Sequence, residues 1–126
     1  MNPERIEANE VLFRAVQIHP NLWKGNRPSS VLFRNDRGVS VDRGGERAEN
    51  EVCEFLQSHL SGYELKAIIS VTAKKCEDIG VLPLPKYIDE NPYHAEIHES
   101  ETEVLISKAK ARLLAVNCQI VKEFSG

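Results

Sequence analysis

Hydrophobic and polar residues alternate along several short segments, and this period of two predicts β-strands. Such strands are predicted at 11–16, 38–42, 65–73, 92–98 and 118–124. The third of these is almost continuously apolar, which is typical of a central strand. Segment 81–85 contains two prolines and cannot be an inner strand, because proline donates no hydrogen bond to a sheet.

Two longer segments place their hydrophobic residues at helical spacing. The first is 46–60, which ends at a Ser-Gly pair. The second is predicted to begin at Ser100, because Ser100 and Glu103 form the Ser-x-x-Glu pattern of a capping box. Its predicted buried stripe is Leu105, Ala109 and Leu113, joined at the edges by Ile106 and Leu114.

This order of elements predicts a single α+β domain covering residues 1–126, with residues 1–9 frayed. The expected architecture is a mixed or mostly antiparallel sheet of about five strands, with two helices packed on one face.

Composition then limits the class of protein. The chain has 126 residues, of which 41% are hydrophobic and 28% are charged, which excludes collagen-like, wholly disordered and disulfide-rich classes. The three cysteines are widely separated, which argues against a disulfide framework or a thiolate zinc site. The polar N-terminus has no secretory signal, and the longest apolar run is too short to cross a membrane. We therefore expect a cytoplasmic protein without membrane association.

Charge is distributed unevenly along the chain. Segment 11–47 contains seven basic residues, six of them arginine, against three acidic ones, whereas 89–103 contains six acids and neither lysine nor arginine. Two interpretations are open. The segments neutralise each other, or the arginines bind a phosphorylated small molecule or a nucleic-acid backbone. The formal net charge of -3 argues against general nucleic-acid binding.

His94, Glu96 and His98 form the first candidate site. Residues two apart on a strand share a face, so these three side chains are expected to project together. They could bind a divalent cation, act as acid and base, or form an ordinary solvated face. We predict His94 and Glu96 as acid and base, and no metal site.

Segment 38–45 forms the second candidate site. Ser40 and Asp42 are expected on one face of a strand, followed by a glycine pair and a helix N-terminus flanked by Arg43 and Arg47. This arrangement predicts an anion site, although the spacing is not that of a P-loop. The alternative is an ordinary strand-to-helix turn in which Asp42 pairs with one of the two arginines.

Arg14 is the third candidate, because it interrupts a strand that is otherwise apolar. It is either a substrate-anchoring residue or a half-exposed arginine paired with a carboxylate. Arg14, Ser40 and Glu96 lie on successive predicted strands, and in these three residues the chain resembles the Arg-Ser-Glu layout of ADP-ribosyltransferases. The resemblance implies an enzyme that processes a phosphate-bearing small molecule.

A second enzymatic interpretation is a small metal-independent ribonuclease of the toxin type. It would use His94 or His98 as acid and base, and the arginines would stabilise negative charge on phosphorus.

We therefore predict a polar cleft that binds or processes a phosphate-bearing small molecule or RNA; enzymatic activity and a cofactor are left open. The predicted catalytic residues are His94, Glu96 and Ser40. The predicted substrate-binding residues are Arg14, Arg43, Arg47, Asp42 and His98. The alternative is a non-enzymatic interaction module that uses an arginine-rich surface and an acidic one, and that could form a homo-oligomer.

Overall fold

The computed structural model describes residues 1–124 and shows an α+β fold built on an antiparallel sheet. The strands are β1 (Val11–Gln17), β2 (Trp23–Lys24), β3 (Arg27–Pro28), β4 (Val39–Arg43), β5 (Leu65–Thr72), β6 (Leu82–Pro85), β7 (His94–His98) and β8 (Gln119–Glu123). Strands β2 and β3 form a separate hairpin, and the other six lie in the order β6-β7-β4-β1-β5-β8. The predicted fold class and antiparallel character are confirmed, with six strands in the main sheet where about five were expected.

Three α-helices and one short 3-10 helix cover this sheet in the described part of the chain. They are α1 (Glu49–His59), α2 (Ala73–Ile79), α3 (Lys108–Asn117) and the 3-10 helix Ser30–Phe33. Helix α1 packs against Phe13 on one face, whereas the other helices pack with Leu12 and Val16 on the opposite face. The prediction of two helices on one face is therefore wrong. The physical reason is that β1 carries large apolar side chains on both faces, and each face must be covered.

Helix α2 escaped the sequence analysis because it starts where β5 ends. Thr72 is the last residue of β5 and also the N-cap, with its Oγ1 accepting a hydrogen bond from the backbone N–H of Lys75 at 3.0 Å. Gly80 ends the helix at φ +95°, a left-handed conformation that suits glycine.

Helix α3 begins eight residues later than the capping-box pattern predicted. Ser100 Oγ accepts from the backbone N–H of Glu103 at 3.1 Å, but residues 100–103 form only a turn. Ser107 is the true N-cap, with its Oγ accepting from Lys110 N at 3.3 Å. The buried residues of the helix are Ala111, Leu114 and Ala115. Of the predicted stripe, Ile106 and Leu114 are buried, whereas Leu105, Ala109 and Leu113 are exposed.

Pairing between β1 and β4 stops early, and this opening positions the candidate site. The two strands pair only at Leu12 with Arg43 and at Phe13 with Asp42. Beyond that point the Arg14 side chain takes the place of the backbone ladder, with Nη1 donating to Ser40 O at 2.7 Å.

The outer strand β6 contains both prolines of segment 81–85 and lies at the sheet edge, as its sequence requires. No helix within residues 1–124 is long and apolar enough to cross a membrane.

Candidate functional site

A pocket of about 290 Å³ lies between helix α1 and the open part of the sheet. Phe13, Leu32 and Leu56 contribute to its apolar wall. Its polar side chains come from several elements and are Arg14, Gln17, Ser40, Asp42, His59, Asn91 and His94. Four of the eight predicted site residues thus share one pocket, namely Arg14, Ser40, Asp42 and His94.

Arg14 is half-buried in this pocket and is held by backbone oxygens alone. Its Nε donates to Leu32 O at 3.1 Å, and its Nη1 donates to Ser40 O. Within residues 1–124, no carboxylate oxygen lies within 4.0 Å of the guanidinium. Burial lowers the pKa of Arg14 to about 10, so the side chain remains charged at neutral pH. Arg14 therefore carries its positive charge in the pocket without an ion pair to any of the described residues.

Asp42 forms the centre of a buried hydrogen-bond network in the pocket wall and is only 3% exposed. Its Oδ2 accepts from Arg47 Nη2 at 2.6 Å, and its Oδ1 accepts from Asn91 Nδ2 at 2.5 Å. The Arg47 guanidinium lies over the ring of Tyr93, 3.6 Å from its centroid. An ion pair between Asp42 and one of the two nearby arginines was the alternative to an anion site in segment 38–45, and Arg47 is the arginine that forms it. Arg47 does not line the pocket; its described contacts orient Asp42.

His94 lies directly opposite Asp42 across the β4–β7 pair. Its Nδ1 is 2.9 Å from the backbone oxygen of Lys86. A carbonyl oxygen can only accept, so Nδ1 carries the proton and Nε2 of the neutral ring is left as an acceptor. The ring can therefore take up a proton through Nε2.

The tautomer of His94 gives a direct test of this arrangement. We expect long-range ¹H–¹⁵N NMR spectra above neutral pH to show Nδ1 as the protonated nitrogen of His94. Exposed His19 has a different environment, in which Nδ1 accepts from the backbone N–H of Asn21 at 3.1 Å, and serves as the internal comparison with the opposite tautomer. An Nε2-protonated His94 would contradict the hydrogen bond to Lys86.

Glu96 and His98 share a strand face with His94, but they form a separate pair. His98 Nε2 lies 2.8 Å from Glu96 Oε1, and neither residue lines the pocket. Gly38 lies beside them at φ +99°, and a Cβ there would be 2.6 Å from Glu96 Oε1. Glycine at this position therefore makes room for the Glu96–His98 pair.

The three residues of the Arg-Ser-Glu layout lie on adjacent strands. Ser40 faces Glu96 across the β4–β7 pair, and Arg14 binds the Ser40 backbone oxygen. Glu96, however, is engaged by His98 outside the pocket. The three residues thus lie on neighbouring strands, but Glu96 lies outside the pocket that Arg14 lines.

Arg43 projects to the opposite face of β4 from Asp42 and is 1% exposed. It forms an ion pair with Glu10 at 2.5 Å and donates to the backbone oxygens of Asn2 and Arg5. These contacts leave it inaccessible to a pocket ligand and connect it to the backbone of the N-terminal segment. The guanidinium of Arg43, predicted as an anion contact, is instead bonded to Glu10 and to the N-terminal backbone.

The N-terminus of α1 is also unsuited to the anion predicted there. Glu49 and Glu51 occupy its first turn, and Glu51 Oε1 accepts from the backbone N–H of Ala48 at 3.3 Å. Two carboxylates at the positive end of the helix dipole take the place that an external anion would need.

Most arginines of the basic segment hold backbone oxygens rather than forming a basic surface. Arg27 Nη2 donates to three carbonyl oxygens at the end of α3, and Arg34 Nε donates to Ile106 O at 2.9 Å. Among residues 1–124, no ion pair joins segment 11–47 to segment 89–103. Segment 11–47 as a whole is therefore neither neutralised by segment 89–103 nor a continuous basic surface for a phosphate-bearing partner.

The cysteines are buried and do not contribute to the pocket. Burial raises the pKa of the Cys76 thiol to about 12, and it also raises the pKa values of Cys53 and Cys118. Thiolate chemistry at neutral pH is disfavoured at all three. Over the described ranges, no group of three or more His, Cys, Asp or Glu is arranged to hold a metal ion.

Three polar pocket residues, Gln17, His59 and Asn91, were not among the predicted site residues. Asn91 is buried and bonds to Asp42, and His59 stacks on Phe55 with ring centroids 5.3 Å apart. Asn91 precedes a proline in a turn, and His59 lies in the last turn of a helix. Both are ordinary places for these residue types. Asn91 and His59 are pocket residues only because the turn and the helix that carry them pack close to β4 and β1.

In comparisons with known proteins, no family model, no curated sequence and no solved structure matches this chain, so its function is argued from the pocket itself.

Proposed function

We propose that the pocket binds a small phosphate-bearing molecule, with Arg14 as the contact to the anion. The observation that carries this proposal is the half-buried, charged Arg14 without a carboxylate partner among the described residues. An unpaired charge in a partly apolar site is costly, and an anionic ligand removes that cost. The planar guanidinium matches phosphate geometry, and the N–H groups not used by Leu32 and Ser40 are available for it.

The size of the pocket favours a small molecule over RNA. Its volume of about 290 Å³ is at the lower end of the range for small-ligand sites. An RNA-binding surface needs a track of basic side chains, and most arginines here are bound to backbone oxygens or carboxylates. The same contacts weaken the alternative of an arginine-rich interaction surface.

The pocket also holds groups suited to proton transfer. His94 and His59 both line it, and a neutral imidazole has one ring nitrogen that donates and one that accepts. The free Nε2 of His94 makes this residue the better general base. In hydrolysis of the bound phosphate ester, His94 would take a proton from the attacking water while the water oxygen bonds to phosphorus and the ester P–O bond breaks. The same proton would then pass to the departing alcohol, and Arg14 would offset the negative charge on phosphorus.

Thermal unfolding in the presence of propyl phosphate tests the binding proposal. A ligand at about 100 times its dissociation constant adds roughly 2.7 kcal/mol to stability, which raises the melting temperature by about 5–15 °C in a domain of this size. We expect this shift in the wild-type protein and its loss in Arg14→Gln.

Arg34→Gln is the matched control. Arg34 is also half-buried and also donates through Nε to a backbone oxygen, but it does not line the pocket. Both variants are expected to lose some intrinsic stability, whereas only Arg14→Gln should lose the response to propyl phosphate. A response that survives in Arg14→Gln, or that disappears equally in both variants, would contradict the proposal.

A further inference from the structure

We infer that the ligand of this pocket is a phosphorylated polyol or sugar, whose hydroxyl groups donate hydrogen bonds to Asp42 while its phosphate contacts Arg14. The inference rests on the proposed function, because it assumes that Arg14 holds the phosphate. It adds the chemical class of the rest of the ligand.

Asp42 has hydrogen-bonding capacity that the described residues leave unused. A carboxylate offers about four acceptor positions. One position on Oδ2 is taken by Arg47 and one on Oδ1 by Asn91. The residue is 3% exposed and forms part of the pocket wall, so a ligand in the pocket is the partner that we expect at its remaining acceptor positions. A hydroxyl group is a neutral donor that meets this need without adding charge.

The placement of Asp42 relative to Arg14 gives the pocket two chemically different ends. The Arg14 guanidinium is bonded to the backbone of Ser40, two residues before Asp42 on the same strand. Two residues of strand correspond to roughly 7 Å between the Cα atoms of Ser40 and Asp42. A phosphate is attracted at the Arg14 end and repelled by the carboxylate at the other. The fitting ligand therefore carries its anion at one end and hydrogen-bond donors a few bonds away.

The network behind Asp42 fixes the carboxylate before a ligand arrives. Arg47 is held over the Tyr93 ring, and Asn91 Oδ1 accepts from the backbone N–H of Tyr93 at 2.9 Å. Both groups that bond to Asp42 are thus anchored on the same short segment. An oriented acceptor loses little freedom on binding, which increases its discrimination between ligands with and without hydroxyl groups.

Glycerol 3-phosphate and propyl phosphate form a matched pair for testing this inference. They share a phosphate ester on a three-carbon chain and differ in two hydroxyl groups. With the wild-type protein, we expect isothermal calorimetry to show glycerol 3-phosphate binding about tenfold more tightly or better, because charge-assisted hydrogen bonds outweigh the desolvation of the hydroxyls. Asp42→Asn should reduce this ratio towards one while propyl phosphate still binds.

The outcomes separate this inference from the proposed function. If both ligands bind with equal affinity, or propyl phosphate binds better, and binding is lost in Arg14→Gln, the hydroxyl recognition is wrong and the phosphate site stands. If neither ligand binds, the proposed function fails and the inference fails with it. A ratio that is unchanged in folded Asp42→Asn also overturns the role of Asp42. Should that variant not fold, the two ligands on the wild-type protein decide the question.

Discussion

Replacing Arg43 with methionine is expected to lower the free energy of unfolding by about 3–5 kcal/mol, the cost of removing one partner from a buried ion pair. Arg43 is 1% exposed and its Nη2 lies 2.5 Å from Glu10 Oε1. Methionine fills a similar volume but leaves the carboxylate without its counter-charge. It also leaves the backbone oxygens of Asn2 and Arg5 without their donor. The measurement is urea denaturation at neutral pH, followed by circular dichroism.

Arg37→Met is the matched control for this prediction. Arg37 belongs to the same basic segment and carries the same charge, but its side chain is exposed and makes no ion pair in the described structure. We expect its denaturation midpoint to stay at the wild-type value. A similar midpoint for both variants would mean that Arg43 does not have the structural role assigned to it.

The same ion pair predicts a pH dependence of stability. Burial by itself would raise the pKa of Glu10, but hydrogen bonds from Arg43 and from the Glu7 backbone, with the charge of Arg43, hold it below its usual value of 4.5. The pair therefore stabilises the fold fully above that value and loses its contribution as the pH falls through the lowered pKa. Arg43→Met should remove this part of the acid dependence, which denaturation at neutral pH and at about pH 3 would reveal.

Arg47→Ala is expected to have the second large effect. Asp42 and Arg47 have side chains that are 4% and 12% exposed, so removing the arginine leaves a buried carboxylate supported by Asn91 alone. The expected loss of unfolding free energy is about 3–5 kcal/mol, together with loss of the stacking on Tyr93. Urea denaturation measures this loss.

Arg47→Lys separates the charge from the geometry of this contact. Lysine keeps the positive charge but has neither the planar fork nor the stacking surface, so we expect a smaller loss of stability than with alanine. Lys74→Ala, which breaks the exposed pair between Lys74 and Asp78, should leave the midpoint unchanged. A wild-type midpoint for Arg47→Ala would show that Asp42 does not depend on Arg47.

The partners of Arg43 and Arg47 could not be predicted from the distribution of charge along the sequence. The sequence places both beside a glycine turn and predicts an anion site, but the direction of each side chain depends on the strand register. Arg43 pairs with Leu12 and faces the side of the sheet on which the N-terminal segment lies. Arg47 lies beyond the strand and turns back onto Asp42. These two arginines have different partners because Arg43 lies within β4, where the register sets its face, whereas Arg47 lies in the turn after the strand and folds back towards Asp42.

The sequence by itself determined the local features of this protein. Period-two alternation located the main strands and placed His94, Glu96 and His98 on one face, and the prolines of β6 kept that strand at the edge of the sheet. These features depend on backbone geometry within a few residues, which a local pattern can express.

Tertiary structure alone decided the candidate site. The opening between β1 and β4 leaves Arg14 without a carboxylate in the described chain, and the packing of α1 over that opening forms the pocket with His59 and Asn91. The same packing excludes Arg43 and the Glu96–His98 pair. Contacts between residues far apart in the chain decide where β1 and β4 stop pairing and which side chain fills the opening between them. Such contacts leave no periodic signal in a single sequence.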